Sequence, residues 1–268
     1  MTRIQRLAAS LASLAMLGSL LGAPGVSAAN QGLVGGQAVA PPAAIVGAPP
    51  IGTTSLSYYA GYSSYLFGGG FSRITGTWVV PKATCDGAVS TVMFAWVGLD
   101  DNGSKYLEQA GTGDYCIKGS TTAYYYSWYE MFPKPSIASS LVVRAGDTVR
   151  TTVSVTGSTF AFAIENLTTH KTFRKSISQT HAARLAAYWI VESPWNGTSA
   201  AHLWPLTKFA PITIKSASAT AAGHTRAINS SGWNMTLRWT MKYGRTIKAS
   251  TSGLNYAANA FTVTWHHR

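Results

Sequence analysis

Asp147-Thr148-Val149-Arg150-Thr151-Thr152-Val153-Ser154-Val155-Thr156-Gly157-Ser158-Thr159-Phe160-Ala161-Phe162-Ala163-Ile164 is the stretch that decides the fold. Val149, Thr151, Val153 and Val155 alternate with polar residues, so they share one face of an extended chain. Thr156-Gly157-Ser158 turns the chain, and Phe160, Phe162 and Ile164 alternate on the return. The pattern is a half-buried β-hairpin. The same two-residue period recurs at Leu237, Trp239 and Met241, and again at Phe261, Val263 and Trp265. No long segment carries a clean helical period, although His181 to Ala187 has room for a helical turn. Gly, Ser and Thr separate short runs rich in Val, Ile, Tyr, Trp and Thr. This texture predicts an all-β chain, a β-sandwich of two packed antiparallel sheets in the manner of a concanavalin-like jelly roll. It runs from Ser57-Tyr58-Tyr59 to Arg268, so residues 58–268 form one domain of about 210 residues.

Upstream of that domain the composition changes twice. Arg3 and Arg6, the apolar run Leu7 to Leu21 and the small residues Val26-Ser27-Ala28 have the three parts of an export signal, assigning residues 1–28. Residues 29–57 carry no charge and are rich in Gly, Ala, Pro and Val, which reads as a poorly ordered leader, linker or pro-segment. The expected product is a secreted, extracellular monomer that does not sit in a membrane. The full chain has a net charge of +12, and losing Arg3 and Arg6 brings it to +10. The cations are scattered, with only Lys171, Arg174 and Lys175 close together, and charged residues are 11% of the chain. The excess therefore reflects a shortage of acids and not a nucleic-acid patch. Few carboxylates also suit an acidic medium, because fewer must be protonated there. The two cysteines, Cys85 and Cys116, are expected to pair in an oxidising compartment. Closing that loop stabilises by roughly 3–4 kcal/mol on the chain-entropy model. Neither cysteine nor any of the six histidines has metal-ligand spacing, so neither a metal nor a cofactor is expected.

With only nine acids in the chain, each carboxylate is informative. Glu192 ends the apolar run Ala186-Ala187-Tyr188-Trp189-Ile190-Val191, where Ser193-Pro194 stops it. A carboxylate at the end of such a run costs several kcal/mol unless it is paired or solvated. Strand alternation puts Tyr124, Tyr126, Trp128, Glu130 and Phe132 on one face, and Phe94, Trp96, Gly98 and Asp100 on one face of another run. Gln109 shares a face with Leu107 and Gly111, and Glu192 with Tyr188 and Ile190. An aromatic face carrying a few acids is a suitable wall for an extended polymer. No Gly-x-Ser-x-Gly elbow is present, which argues against a serine hydrolase.

Taken in order, five segments resemble one family. They are Thr75-Gly76-Thr77-Trp78-Val79-Val80-Pro81, Trp96-Val97-Gly98-Leu99-Asp100, Leu107-Glu108-Gln109-Ala110-Gly111, Ser127-Trp128-Tyr129-Glu130 and Ala187-Tyr188-Trp189-Ile190-Val191-Glu192. Over residues 58–268 the set resembles the glutamic peptidases (eqolisins), acid endopeptidases known from fungi and also found in bacteria, and the chain is identified as a bacterial member. The resemblance implies a sandwich of two seven-stranded sheets. It also implies a catalytic dyad of Gln109 and Glu192, a substrate wall of Trp96, Asp100, Trp128, Glu130, Tyr59 and Tyr126, and a polypeptide substrate. The chain departs from the family pattern in several places. Glu108 stands between Leu107 and Gln109, Tyr58-Tyr59 replaces Asn-Trp, Phe132 replaces Tyr, Tyr188 replaces an acid and Asp101 replaces Gly. These departures bear on substrate preference and pH optimum.

The chemistry is coherent without the family. Peptide hydrolysis needs an activated water and a donor for the developing oxyanion. A carboxyl can move the water's proton to the leaving amine, and an amide can hold the oxyanion without titrating. One neutral partner should also avoid the coupled titration of two carboxylates. Two other functions fit the same face. A glycoside hydrolase would set Glu130 and Glu192 about a sugar and have no need of Gln109. A lectin-like or inhibitory module would need neither residue for chemistry.

Overall fold

A computed structural model describes residues 48–101, 106–180, 182–196 and 203–268. The export signal, most of the leader and His181 lie outside the described residues. The first strands are β1 (Ile51–Leu56), β2 (Tyr59–Tyr65), β3 (Phe71–Val79), β4 (Ala83–Thr84), β5 (Thr91–Asp100) and β6 (Leu107–Cys116). The middle of the chain supplies β7 (Ala123–Phe132), β8 (Ile137–Ala138), β9 (Thr148–Thr156), β10 (Thr159–Asn166), β11 (Lys171–Ser178) and β12 (Ala186–Glu192). The last are β13 (Lys208–Phe209), β14 (Ile212–Ala221), β15 (His224–Ala227), β16 (Met235–Tyr243), β17 (Thr246–Thr251) and β18 (Phe261–Trp265). Among the described residues there is no helix. The segment after His181 instead leads into β12, with Arg184 at a φ of 54°.

The strands form two layers. One carries β18-β17-β16-β2-β12-β5-β6-β7-β8 and the other β11-β10-β9-β3-β14. The two layers are one hydrogen-bonded path, because β14 serves both. Its first three residues pair with β18 and those from Lys215 on with β3, with a bulge between Lys215 and Ser218. A strand that bulges and changes sheet is how a sandwich makes a corner. Nearly every pairing is antiparallel. The exception is β1, which lies parallel to β16, with Ile51 opposite Thr236 and Leu56 opposite Met241. The leader composition therefore ends earlier than expected, since residues 51–56 are a paired strand.

Between the layers lies the main core. The hairpin β9–β10 contributes Val149, Val153, Phe160, Phe162 and Ile164, all essentially unexposed. Across from them sit Met93, Val97, Leu99, Trp189 and Val191. Burying each such side chain is worth about 1.5–3 kcal/mol. The same alternation that sends Trp189 and Val191 inward sends Tyr188, Ile190 and Glu192 to the opposite face. Cys85 and Cys116 are bonded, with Cα atoms 5.5 Å apart, and tie the segment before β5 to the end of β6. The central strands that carry the site are thus packed on one face and laced at an end.

Candidate active site

The outer face of the first layer is a second apolar cluster, separate from the core. It contains Tyr59, Phe94, Trp96, Leu107, Trp128, Tyr188 and Ile190. Cross-strand register arranges it in rows. Tyr59, Glu192, Phe94, Gly113 and Tyr126 lie side by side in one row. Ile190, Trp96, Gly111 and Trp128 form the next, and Tyr188, Gly98, Gln109 and Glu130 the one beyond. Glycines recur where large side chains need room. A Cβ at Gly113 would stand 2.8 Å from Phe94 Cδ1 and 2.9 Å from Tyr126 Cζ, and one at Gly98 would stand 2.9 Å from Gln109 Cβ. Gly111 lies between Trp96 and Trp128 in its row.

All the residues expected at the site are on this face. Glu192 is 7% exposed and Gln109 6%, so neither is a surface side chain. Trp96 donates its Nε1–H to Glu192 Oε2 at 2.7 Å. Glu192 Oε1 takes no hydrogen bond from a described residue and is not among the sealed polar atoms, so it is left to the outer side. Gln109 donates from Nε2 to Glu130 Oε2 at 2.5 Å. Glu130 therefore pairs with an amide and not with a lysine. Gln109 and Glu192 are not hydrogen-bonded to each other. Gln109 Oε1, Glu130 Oε1, Trp128 Nε1 and Tyr126 OH are buried without a partner among the described residues. Tyr59 packs edge-on against Trp96 with ring centroids 5.5 Å apart, and Tyr126 edge-on against Phe94 at 6.0 Å. Asp100 is buried at the far end of the face, one row beyond Gln109. Trp96 and Trp128 are themselves covered, at 0% and 1% exposure.

Electrostatics couples the acids. Burial pushes the Glu192 carboxyl up to about 8, and the Trp96 hydrogen bond acts against that rise. Burial pushes Glu130 well above the usual range, and the neighbouring Glu192 charge raises it further, while Gln109 holds it down. Two carboxyls in mutual reach titrate as a pair. Glu130 lies in electrostatic reach of Glu192, so a neutral amide partner does not by itself isolate the Glu192 titration. In acid both are neutral. Removing the indole donor tests the opposing effect. Trp96→Phe should raise the apparent pKa of Glu192 by about one unit, since a hydrogen bond to a charged group contributes about 1.5–3 kcal/mol. The titration of the Glu192 side-chain carboxyl, followed by carbon NMR, should move up accordingly, and an unmoved titration would show that the indole does not act on Glu192.

Two further acids escaped the sequence reading. Glu108 and Asp114 alternate with Gln109 on β6 and point to the core side, at 0% and 1% exposure. No well-aligned hydrogen bond reaches their carboxyl oxygens among the described residues, although the Thr207 hydroxyl is close enough to Asp114 to act against its rise. Each is pushed up to about 8, chiefly by burial, with Asp101 and Asp100 adding to the rise at Glu108. The alternation around Gln109 was the available signal, but it does not say that both faces of β6 are covered. Among the described residues no group of His, Cys, Asp or Glu is arranged to hold a metal ion.

Comparison with known proteins points one way. The peptidase A4 family model matches residues 57–264. Aspergillopepsin-2 of Aspergillus niger is 29% identical over 199 residues, covering 65% of this chain and 69% of that protein. Aspergilloglutamic peptidase from Aspergillus niger aligns over 66% of this chain and 99% of its own, with a TM-score of 0.54 and 26% identity. Scytalido-glutamic peptidase, solved with a transition-state-analogue inhibitor, has the same fold, at a TM-score of 0.64 and 22% identity over 78% of this chain and 98% of that one. So has SCP-B, a member of the eqolisin family solved with the tripeptide Ala-Ile-His. Its TM-score is 0.60 and its identity 19%, over the same shares of the two chains.

Proposed function

The chain is a glutamic-type endopeptidase of the peptidase A4 family, and from that premise we propose that it is a secreted acid endopeptidase in which Glu192 and Gln109 are the catalytic dyad. The observation that carries this assignment is the state of Glu192. Its carboxyl is buried, bonded through one oxygen to Trp96 and left open at the other, on the same face as a buried amide. Family membership sets aside the glycoside-hydrolase and lectin-like readings of the same face.

The chemistry follows from a neutral Glu192. A carboxylic acid offers an acceptor at one oxygen and a donor at the other. Glu192 takes a proton from the attacking water as it gives its own to the scissile carbonyl oxygen. Water adds to the carbon, and a neutral gem-diol stands beside a neutral Glu192. In the second step the same carboxyl gives a proton to the leaving nitrogen and takes one from a gem-diol hydroxyl as the C–N bond breaks. Glu192 ends as it began. Gln109 has two N–H donors. One is engaged by Glu130, which orients the amide, and the other is available to the carbonyl oxygen as negative charge develops there. Its orphan Oε1 can accept from the water. Tyr59 and Tyr126 end the Glu192 row, and Trp128 and Asp100 lie one row to either side of Gln109, a wall suited to an extended polypeptide.

The test is digestion of an unfolded protein from pH 2 to 7, with an inhibitor of aspartic peptidases present throughout. Gln109→Ala should lose about 10²–10³ in kcat, the cost of one oxyanion donor, with KM little changed. A Gln109→Ala enzyme as active as wild type would remove the amide from the mechanism.

A further inference from the structure

The second layer carries a trough that the peptidase chemistry does not use. The outer faces of β3, β9, β10 and β11 enclose about 670 Å³ on the side of the molecule opposite the aromatic face. Its floor is small and polar, made by Thr75, Thr152, Ala161 and Ala163. Long cations line it: Arg73, Arg150 and Arg174, while Lys175 pairs with the inward Phe162 and shares its face. Glu165 is the one carboxylate in the lining. It accepts from Arg150 Nε at 2.5 Å and lies 3.4 Å from Arg174 Nη2. Among the described residues no ion pair reaches Arg73. Three cations thus converge on a concavity with a single acid, in a chain where cations are otherwise scattered.

The lining also states what it cannot hold by. Its only aromatic ring, Phe162, is 1% exposed and points to the core. Without an exposed ring there is no platform for stacking bases or neutral sugars. The floor strands β9, β10 and β3 have neighbours on both sides, so their backbone groups are spent within the sheet. An extended peptide, which binds by adding to a free strand edge, finds none on the floor. Charge and hydroxyl groups remain. The guanidinium of Arg150 is already matched to a carboxylate here, that of Glu165, and arginine forks suit such groups in repeated order. A volume in the range of ordinary ligand clefts admits a few sugar rings.

We propose that this trough binds a carboxylate-bearing polysaccharide of the uronate type, anchoring the enzyme to an anionic polymer while the opposite face stays open to polypeptide. The site is separate from Glu192 and Gln109, so anchoring and cleavage are independent.

Binding of the full mature protein to polygalacturonate tests this, with dextran as the neutral control, heparin as the sulfated one and oligo-dT as the nucleic acid. The triple variant Arg73→Gln, Arg150→Gln, Arg174→Gln removes three trough cations. The variant Lys118→Gln, Lys242→Gln, Arg245→Gln removes three exposed cations elsewhere. The trough variant should bind polygalacturonate about ten-fold more weakly and with a shallower salt dependence, while the other stays close to wild type. Both should cleave an uncharged peptide at the wild-type rate. Equal weakening in the two variants would reduce the effect to net charge and overturn the site. So would binding of polygalacturonate no tighter than dextran. Tighter binding of heparin or oligo-dT than of polygalacturonate would overturn the uronate assignment.

Discussion

Glu192→Gln should fold, bind extended peptide and fail to cleave it. The substitution keeps the length of the side chain and leaves an amide oxygen to accept from Trp96 Nε1. It removes the exchangeable proton that the proposed mechanism moves twice in each turnover. General acid–base contributions run to about 10²–10⁴, and one group serving both proton transfers should lose at least the upper value, so kcat should fall by about 10⁴ or more with KM within a few-fold. A second readout is independent of catalysis. The wild-type carboxyl is pushed up to about 8, so its ionisation destabilises the fold as the medium becomes alkaline. An amide cannot ionise. The variant should match wild type in stability near pH 3 and exceed it near pH 8. Residual activity above about one hundredth of wild type would move the proton-transfer role to Glu130, the other carboxyl in electrostatic reach.

Much of this arrangement was legible in the chain. The 147–164 hairpin appears as β9 and β10 because period-two alternation with a central Gly-Ser turn has few other solutions. Alternation alone put Trp96, Gln109, Trp128, Glu130 and Glu192 on faces that the structure brings to one side of one layer. What alternation cannot supply is register. The Gln109–Glu130 contact exists because β6 and β7 pair with those two residues opposite each other, and no local pattern specifies that offset. The inward acids were hidden for a related reason. Glu108 and Asp114 look like the solvent side of β6 until a second layer is seen to cover it. β1 was hidden by composition, since residues 51–56 are uncharged and unpatterned and gain strand form from the edge of β16.

Those inward acids, together with Glu192, should make the fold stable in acid and unstable as the pH rises towards 8. Glu108, Asp114 and Glu192 are each pushed up to about 8, from ordinary values of 4.5, 3.8 and 4.5. Between roughly pH 4 and 8 the folded chain holds protons that the unfolded chain has released. Stability then falls with rising pH, because the unfolded state binds fewer protons. The contribution is complete below the unfolded values and lost once the pH passes the folded ones. At 1.36 kcal/mol per unit, each carboxyl changes stability by roughly 5 kcal/mol across the window. Even a third of that for each of three groups is comparable with the whole stability of a domain, about 5–15 kcal/mol. Lys248 acts in the opposite sense. Burial lowers it to about 8, so its effect favours the folded state only as the pH rises above that value, outside the window. Thermal midpoints measured from pH 3 to 8 should therefore fall steeply, and a flat or rising profile would refute the assignment. Glu108→Gln with Asp114→Asn should flatten the slope without touching the Gln109–Glu192 face. If the neutral Glu192 is competent up to its own ionisation, the alkaline limit of activity in wild type is set by the fold before it is set by the dyad. The double variant should then cleave unfolded protein at a higher pH than wild type does. An activity limit that stays in place while the stability slope flattens would locate that limit in Glu192 itself.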